Sequence, residues 1–460
     1  MTENKPDGRD TNRSNTPKSS TFNQYISSGW ADYSDKAVSE DAVAPFAKTR
    51  RDAVAEKFAG QVVVIEAGPS KVRSNDTEYR YRPHAAFAHL TGWGSKTVPD
   101  SVLVIDARKD SKSTLYLRPT AGKDSDEFFA NSAIGEFWVG RRPTLKEVSD
   151  LLAIETKDLK SLEADLSGLT YLSLEAPTVE EFVAELRLVK DSYEVAEMRK
   201  AVDASVRGFE DVVRNLPNSL GERGERVIET TFFARARRDG NDLGYETIAA
   251  SGKNACVLHW IQNDGEVKKD DLILLDAGVE VDSLYTADIT RTLPVSGKFS
   301  DVQRKIYLAV LEAADAVFAM AKPGVTYSDM HATAMKVIAQ KTSEWGILPV
   351  SAEESLEPDN QYHRRWMVHG TGHHLGIDVH DCAQARKSTY KEAVLREGMI
   401  FTIEPGLYFH ADDLLAPEEF RGIGVRIEDD VLVTKDGVEN LSAALPRHPD
   451  EIEKWMQSLS

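Results

Sequence analysis

The stretch DLILLDAGVEVDSLYTADITRTLPV, residues 271–295, decides how the carboxyl-terminal half of the chain folds. Its apolar run ends in Asp276, and Asp288 follows 12 residues later, beyond a polar turn. Two strands joined by this turn would form a hairpin that brings the two aspartates together. A carboxylate at the end of an apolar strand is partly buried, so it needs a cation or a shifted pKa. For Asp276 alone, a turn cap beside Gly278 is an equally good interpretation.

A second stretch, HGTGHHLGIDVH, concentrates four of the eleven histidines within 12 residues. Three interspersed glycines favour a loop or an irregular strand in which backbone approaches a ligand, and they do not fit a helical HExxH zinc motif. A single histidine is more often structural, but this density indicates a functional site. His374, beside His373, is expected to point elsewhere.

Two further carboxylates lie next to apolar sequence. The run MIFTI leads directly into Glu404, and glutamate is a poor residue for the end of a buried strand unless it is paired. In GIGVRIEDD, Arg426 and Glu428 are two residues apart and therefore share one face of an extended segment. The alternative for this pair is a salt-bridge ladder on the surface.

Together these segments supply four carboxylates and one nitrogen donor, a set whose charge two divalent cations would balance. Oxygen-rich ligation favours a hard ion such as Mn²⁺, with Co²⁺, Fe²⁺ and Zn²⁺ as alternatives. A pair of such ions activates water and stabilises an oxyanion. The predicted chemistry is acyl hydrolysis.

Composition limits the other possibilities. A chain of 460 residues predicts more than one domain, and 75 acidic against 56 basic side chains give a net charge of −19, which disfavours nucleic-acid binding. No apolar run is long enough for a membrane span. The two cysteines, Cys256 and Cys382, give no disulfide framework, so we expect a cytoplasmic protein.

The chain pattern predicts an α/β (α+β) protein with three parts. Residues 1–40 are expected to be a disordered or loosely docked tail, since the first two dozen contain almost no apolar side chains. A small amino-terminal α/β domain is expected over 41–190, with a helix over 40–59 and apolar, strand-like runs at 61–68, 101–107, 113–119 and 169–177. The second domain, 191–460, begins with a helix capped by Asp191 and Glu194, and a similar helix begins at Ser300.

The motifs DAGVEVDSLYTADITRT, HGTGHHLGIDVHD, TIEPGLY and RGIGVRIEDD, with ASGKNACVLHW before them, resemble those of the pita-bread metallopeptidases. Within that family they are most similar to aminopeptidase P (Xaa-Pro aminopeptidase), over residues 40–450. The resemblance implies a carboxyl-terminal pita-bread catalytic domain and a dinuclear metal centre. One departure is visible, because the family usually has its two aspartates 11 residues apart; we place the extra residue in the turn at Asp282 and Ser283.

The resemblance also implies roles for single residues. The implied metal ligands are Asp276, Asp288, His373, Glu404 and Glu428, and Asp288 and Glu428 are expected to bridge both ions. Glu404 is also expected to handle the proton of the attacking water. Three histidines, His259, His369 and His380, are expected to hydrogen-bond the substrate carbonyl and the oxyanion, or to support the ligands. Arg426 and Tyr245 are expected to hold a ligand carboxylate.

In the amino-terminal domain, RSNDTEYRYRP, LTGW and FWVGRR resemble the same family less specifically. Asp76 and Trp138 match positions that lie near an active site in relatives, in some cases that of a neighbouring subunit. An ordinary core aromatic is the alternative for Trp138. A homodimer or homotetramer is expected from the family.

The implied substrates are peptides with proline in the second position, whose first residue is released. The Xaa-Pro bond has no N–H, and its ring fixes the backbone, so a dedicated site is needed. A prolidase restricted to Xaa-Pro dipeptides is the nearest alternative. Creatinase shares the fold without metal, and a non-catalytic peptide-binding module would lack some of the five ligands; the complete set argues against both.

Overall fold

The computed structural model describes residues 17, 19–31, 37–75, 77–108 and 110–459. The chain divides into two compact units, with the main boundary after Tyr171. One unit comprises Met1–Phe87 and Thr97–Tyr171, and the other comprises Ala88–Lys96 and Leu172–Ser460. The domain boundary near residue 190 stays a prediction.

The amino-terminal part contains helices, a four-stranded sheet and a separate two-stranded sheet. Its elements in chain order are α1 (Ser20–Ile26), α2 (Ala44–Lys57), β1 (Val62–Glu66), β2 (Val72–Ser74), β3 (Thr77–Glu78), α3 (Ala85–Thr91), β4 (Val102–Asp106), β5 (Lys112–Leu117), α4 (Glu127–Ala130), α5 (Glu136–Val139), α6 (Leu145–Leu152), β6 (Glu155–Asp158) and α7 (Leu162–Leu166).

The sheet of this unit has the order β1-β4-β5-β6, with β5 and β6 parallel and the other pairs antiparallel. The apolar runs at 61–68, 101–107 and 113–119 supply three of these strands. The run at 169–177 forms no strand: Leu169 packs against the sheet core, and Pro177 opens the next helix. Leu169 therefore covers the sheet rather than extending it.

Part of the predicted tail has a defined structure. Helix α1 is capped by Ser19, and the Phe22 ring packs edge-on against Phe129 at 5.3 Å. The Trp30 ring makes a similar contact with Phe128 at 5.7 Å. Residues 1–16, 18 and 32–36 lie outside the described residues.

The carboxyl-terminal part combines long helices with antiparallel strands. Its elements are α8 (Pro177–Leu186), α9 (Ser192–Asn215), α10 (Gly224–Asp239), β7 (Asp242–Leu243), β8 (Ile248–Ser251), β9 (Leu272–Ala277), β10 (Val279–Glu280), β11 (Ile289–Pro294), α11 (Asp301–Met320), α12 (Tyr327–Glu344), α13 (Ala352–Leu356), β12 (Ile400–Ile403), β13 (Gly406–Phe409), β14 (Ile423–Arg426), β15 (Asp429–Val433), β16 (Val438–Asn440) and α14 (Pro449–Leu459).

Both predicted capping boxes are present. Asp191 and Glu194 close the start of α9, and Ser300 and Gln303 close the start of α11, each pair satisfying two backbone N–H groups. Helix α9 packs on α10 and α11 packs on α12. These helices cover strands whose residues are almost all buried.

The strands of 271–295 form the predicted hairpin. Strand β9 pairs antiparallel with β11, so that Asp276 lies opposite Thr290. At Gly278 a side chain would collide with the carbonyl of Ala287, because a built Cβ lies 1.7 Å from that oxygen. Glycine at this position therefore lets the two strands cross closely, next to both aspartates.

None of the helices described has both the length and the apolar character that crossing a bilayer requires.

Candidate metal centre

Strand ends bring four acidic side chains into one cavity of about 880 Å³. Asp276 lies in β9, Asp288 directly precedes β11, Glu404 directly follows β12, and Glu428 lies between β14 and β15. A backbone hydrogen bond of 3.0 Å from the Glu428 N–H to the Thr290 carbonyl links the segment between β14 and β15 to strand β11 of the hairpin. The cavity is also lined by His259, His369, His373, His380, Tyr245 and Arg426.

His373 faces three of these carboxylates. Its Nε2 lies 3.1 Å from Asp288 Oδ2, 3.7 Å from Glu404 Oε1 and 4.0 Å from Glu428 Oε1. Its Nδ1 lies 3.1 Å from the His374 carbonyl oxygen, which can only accept a hydrogen bond. In the neutral ring the proton therefore lies on Nδ1. Nε2 then carries a lone pair that faces the carboxylates and can bind a metal ion.

Fixed partners orient the carboxylates. The Tyr245 hydroxyl donates to Asp276 Oδ1 at 2.6 Å, and Arg426 donates through Nη2 to Asp276 Oδ2 at 2.5 Å. The Thr290 hydroxyl donates to Glu428 Oε2 at 2.7 Å. Because Asp276 and Arg426 are buried and bonded to each other, neither the turn-cap nor the surface-ladder interpretation is correct.

The electrostatics show an excess of negative charge. Burial raises the pKa of Glu404 to about 7 and holds that of Glu428 well above its usual range. Burial also raises the pKa of Asp276, although Arg426 opposes the shift. For His373, burial alone would lower the pKa, but the hydrogen bond to Asp288 and the charge of Glu404 raise it to about 9. The raised pKa values mean that these side chains hold protons, which offset the excess negative charge of the cavity.

Divalent cations fit this arrangement. Asp288, His373 and Glu428 each offer one ligand atom, and these atoms lie within 4.8 Å of one another. The four carboxylates face one buried arginine, since Lys387 and Lys391 in the cavity lining are exposed, so the buried side chains carry net negative charge that cations would neutralise. Oxygen donors with one imidazole suit Mn²⁺, Fe²⁺, Co²⁺ or Zn²⁺.

The other histidines differ in their surroundings. The Nδ1 of His369 lies 2.6 Å from the Gly370 carbonyl oxygen, and its Nε2 lies 2.8 Å from the Tyr408 hydroxyl, so both nitrogens have protein partners. The ring of His380 packs edge-on against His373 at 4.2 Å. His259 is exposed at the cavity wall.

His374 points away from the cavity, as predicted. Its ring is fully buried, stacks on Tyr327 at 5.1 Å and contacts Tyr390 edge-on at 4.6 Å. Among the described residues neither ring nitrogen has a hydrogen-bond partner. Burial lowers its pKa to about 3, so the ring is neutral.

The glycine-rich segment 369–380 is a loop with one isolated bridge, His374 to Phe401. Two of its glycines make room for neighbouring protein atoms. A Cβ at Gly372 would lie 2.1 Å from the Thr402 carbonyl oxygen, and one at Gly376 would lie 2.3 Å from Asp381 Oδ2. Because Gly370 and Gly372 line the cavity, the expectation that backbone approaches a ligand stays a prediction.

The two residues proposed in the amino-terminal domain are less constrained. Asp76 lies outside the described residues. Trp138 lies in α5 with 56% of its surface exposed, and its indole N–H donates to the Phe129 carbonyl at 2.7 Å. It is therefore not a core aromatic of this chain, and its link to an active site stays a prediction.

Sequence reasoning missed two residues of the centre. Thr290 bonds Glu428 and also accepts from Arg426 Nε at 3.1 Å, and the Tyr408 hydroxyl lies 3.1 Å from Arg426 Nη1. Thr290 lies two residues after Asp288 in an extended strand, so both side chains share a face. That spacing was the available signal; Tyr408 had none beyond its place in TIEPGLY.

Comparison with known proteins identifies the family. Residues 196–435 match metallopeptidase family M24, and residues 47–174 match the aminopeptidase P N-terminal domain. Xaa-Pro aminopeptidase 1 of Streptomyces coelicolor is 47% identical over 95% of this chain and 92% of its own length. The Xaa-Pro aminopeptidase of Escherichia coli is 31% identical over 91% of this chain and 99% of its own length.

The chain belongs to metallopeptidase family M24. A solved structure of zinc-substituted E. coli aminopeptidase P in complex with product has a TM-score of 0.80 to it at 29% identity, covering 92% of this chain and 100% of that one. This M24 metallopeptidase is accordingly a hydrolase and an aminopeptidase that uses divalent metal ions. Its α/β amino-terminal domain and pita-bread catalytic domain confirm the predicted fold class.

Proposed function

We propose that this M24 aminopeptidase hydrolyses the Xaa-Pro bond at the amino terminus of peptides and releases the first residue. The convergence of four carboxylates and His373 in one cavity carries the proposal. Relatives named Xaa-Pro aminopeptidase, similar over nearly the whole chain, support the substrate class.

Asp276, Asp288, His373, Glu404 and Glu428 are the side chains that would hold two divalent ions. We propose Mn²⁺ as the metal because oxygen atoms dominate the donor set. When bound, the ions supply Lewis-acid activation of water and of the scissile carbonyl.

The side chains of this chain perform the remaining tasks. Among the described residues no arginine is hydrogen-bonded to Glu404, unlike Asp276. We assign its carboxylate the task of accepting a proton from the attacking water and returning it to the proline nitrogen. The leaving nitrogen needs this proton because it keeps the electron pair of the broken C–N bond and departs as an amine. Arg426 and Tyr245 fix the direction of the Asp276 carboxylate and oppose the rise in its pKa that burial causes.

Three histidines are proposed to contact the substrate from the cavity wall. In the neutral ring of His369 the Nδ1–H donates to the Gly370 carbonyl and Nε2 accepts from the Tyr408 hydroxyl, so a substrate carbonyl would have to replace the Gly370 oxygen at Nδ1. His259 and His380 face the same cavity and are proposed to border the proline ring.

The decisive experiment compares three substrates on Mn²⁺-loaded protein: a tripeptide with proline second, the same peptide with alanine second, and an Xaa-Pro dipeptide. Release of the first residue from the proline tripeptide, without release from the alanine peptide, is expected. Turnover of the dipeptide alone would favour a prolidase, and no release from any of the three would contradict the proposal.

Two further properties stay predictions. A cytoplasmic location agrees with two cysteines that are both free and buried. A homodimer or homotetramer is testable by light scattering of the purified protein.

A further inference from the structure

Glu225, in the first turn of α10, is a fully buried carboxylate outside the metal centre. Its Oε1 accepts from the Ser251 backbone N–H at 2.7 Å and from the Asn254 amide at 2.9 Å. Its Oε2 accepts from the Trp260 indole at 2.7 Å and from the Gly265 backbone N–H at 2.6 Å. Four neutral donors satisfy this buried carboxyl group, and no described cation pairs with it.

All four donors belong to one segment, residues 251–265, which we call the His259 loop. They lie eight and five residues before His259, and one and six residues after it. A Cβ at Gly265 would lie 2.6 Å from Glu225 Oε2, so only glycine permits this approach. The Glu225 carboxylate is therefore hydrogen-bonded to both ends and to the middle of the loop.

The loop also forms a wall of the catalytic cavity. Leu258, His259 and Ile261 line that cavity, while Leu258 and Trp260 pack inward against a buried cluster that includes Leu274 and Tyr408. Because Leu258 and Trp260, on either side of His259, pack inward, the His259 side chain is directed towards the cavity.

His259 itself is held only by the backbone. The ring is exposed, and among the described residues it makes no hydrogen bond. Where His259 sits in the cavity wall therefore depends on the loop conformation, and the loop conformation depends on Glu225.

We propose that Glu225 is a positioning residue, which places His259 against the substrate by anchoring the His259 loop. This inference rests on the proposed function, in which His259 contacts the peptide. Its physical basis is that a displacement of about 1 Å in a substrate-contacting group costs on the order of 100-fold in rate.

The primary test is a double-mutant cycle on the Mn²⁺-loaded full-length protein with a proline tripeptide. Glu225→Gln has the same shape, but either orientation of the amide turns an NH₂ towards a backbone N–H, of Ser251 or of Gly265. We expect kcat/KM to fall about 10- to 100-fold in the wild-type background. In the His259→Ala background the further loss should stay within about twofold.

Asp413→Asn is the matched control. Asp413 is buried and accepts from an indole N–H of Trp366, from the Leu415 backbone and from Arg365, so it also anchors a loop, but none of these residues lines the cavity. Its effect on kcat/KM should be the same in both His259 backgrounds. Trp260→Phe removes one donor from Glu225 and should repeat the Glu225→Gln pattern more weakly, which keeps the test available if Glu225→Gln does not fold.

Hydrogen exchange measured by mass spectrometry tests the anchoring without using activity. Residues 251–265 should exchange faster in Glu225→Gln than in the wild type or in Asp413→Asn. Unchanged exchange in this loop, or an equal loss of kcat/KM with and without His259, would overturn the proposal. If wild-type protein released no residue from any Xaa-Pro peptide, the proposed function would fail, while the exchange result would still decide whether Glu225 holds the loop.

Discussion

Two buried charge clusters of the carboxyl-terminal unit differ in how their charge is balanced. The cavity cluster contains Asp276, Asp288, Glu404 and Glu428 with Arg426 as its single arginine. The Asp381 cluster contains Arg187, Lys190 and Asp381: Arg187 Nε lies 2.8 Å from Asp381 Oδ1, and Lys190 Nζ lies 3.5 Å from Oδ2.

The pKa of Asp381 is lowered, whereas the pKa values of Asp276, Glu404 and Glu428 are raised. Asp288 is the exception in the cavity cluster, because His373 lowers its pKa. Burial alone would raise the pKa of Asp381, but Arg187 and Lys190 together lower it. At Glu404 in the cavity cluster burial prevails, and the pKa is raised. A buried carboxylate with enough cations stabilises the fold, whereas carboxylates without them form a site that an external cation completes.

The largest expected effect comes from Glu404→Ala in the cavity cluster. The change removes both a proposed ligand and the proposed proton acceptor, so turnover of a proline tripeptide should fall on the order of 10⁴-fold. The protein should also retain less Mn²⁺ after dialysis, as metal analysis would show.

His374→Ala provides the comparison for this variant, since His374 belongs to the same histidine-rich segment but points away from the cavity. It should reduce turnover far less than Glu404→Ala. The reverse order would show that the roles within the site are wrongly assigned.

Asp381→Asn should have the next largest effect, on stability rather than on metal content. It leaves two buried cations without a carboxylate, which costs about 3–5 kcal/mol of unfolding free energy. Urea unfolding measures this loss. The control Asp150→Asn breaks an exposed pair with Lys146 and should cost less than about 1 kcal/mol; similar losses for both variants would refute the comparison.

The two clusters also show which parts of the fold and the site could be predicted from the sequence. The proposed ligands could be named because each lies beside an apolar strand or in a dense histidine motif, and the β9–β11 hairpin could be predicted from one continuous stretch. The pairing of Arg187 with Asp381, 194 residues apart, has no local signal. Glu225 likewise resembles any acidic residue in a first helical turn, because its four donors are chosen by tertiary packing.

Removal of metal should reveal an unusual pH dependence. In metal-free protein the pKa of Glu404 is about 7, above its usual 4.5, so the folded state holds a proton that the unfolded state releases. Between about pH 4.5 and 7 this group therefore contributes stability that is lost as pH rises, by at most about 1.4 kcal/mol per pH unit. Because Mn²⁺ requires ionised ligands, the gain in Tm on adding Mn²⁺ should increase over the same range.

Thermal unfolding of chelated and Mn²⁺-loaded protein at several pH values measures this gain. Chelated Glu404→Gln lacks the titrating group, so its Tm should decline less with pH than that of the chelated wild type. A wild-type gain in Tm that stays constant or shrinks as pH rises would contradict the assignment of Glu404 as an ionised ligand.

The smallest effect is expected for Lys190→Met in the Asp381 cluster. Lys190 donates to the Arg187 carbonyl at 2.6 Å but is only distantly paired with Asp381, whereas Arg187 is bonded to it directly. The methionine stem fills most of the same space, and Arg187 still neutralises the carboxylate. The loss should therefore be about 1 kcal/mol, the cost of one buried carbonyl left without its donor. An equal loss of stability for Lys190→Met and Asp381→Asn in urea unfolding would mean that one buried carboxylate needs both cations. By the same ratio, the four carboxylates of the cavity cluster would need more positive charge than two divalent ions and Arg426 provide.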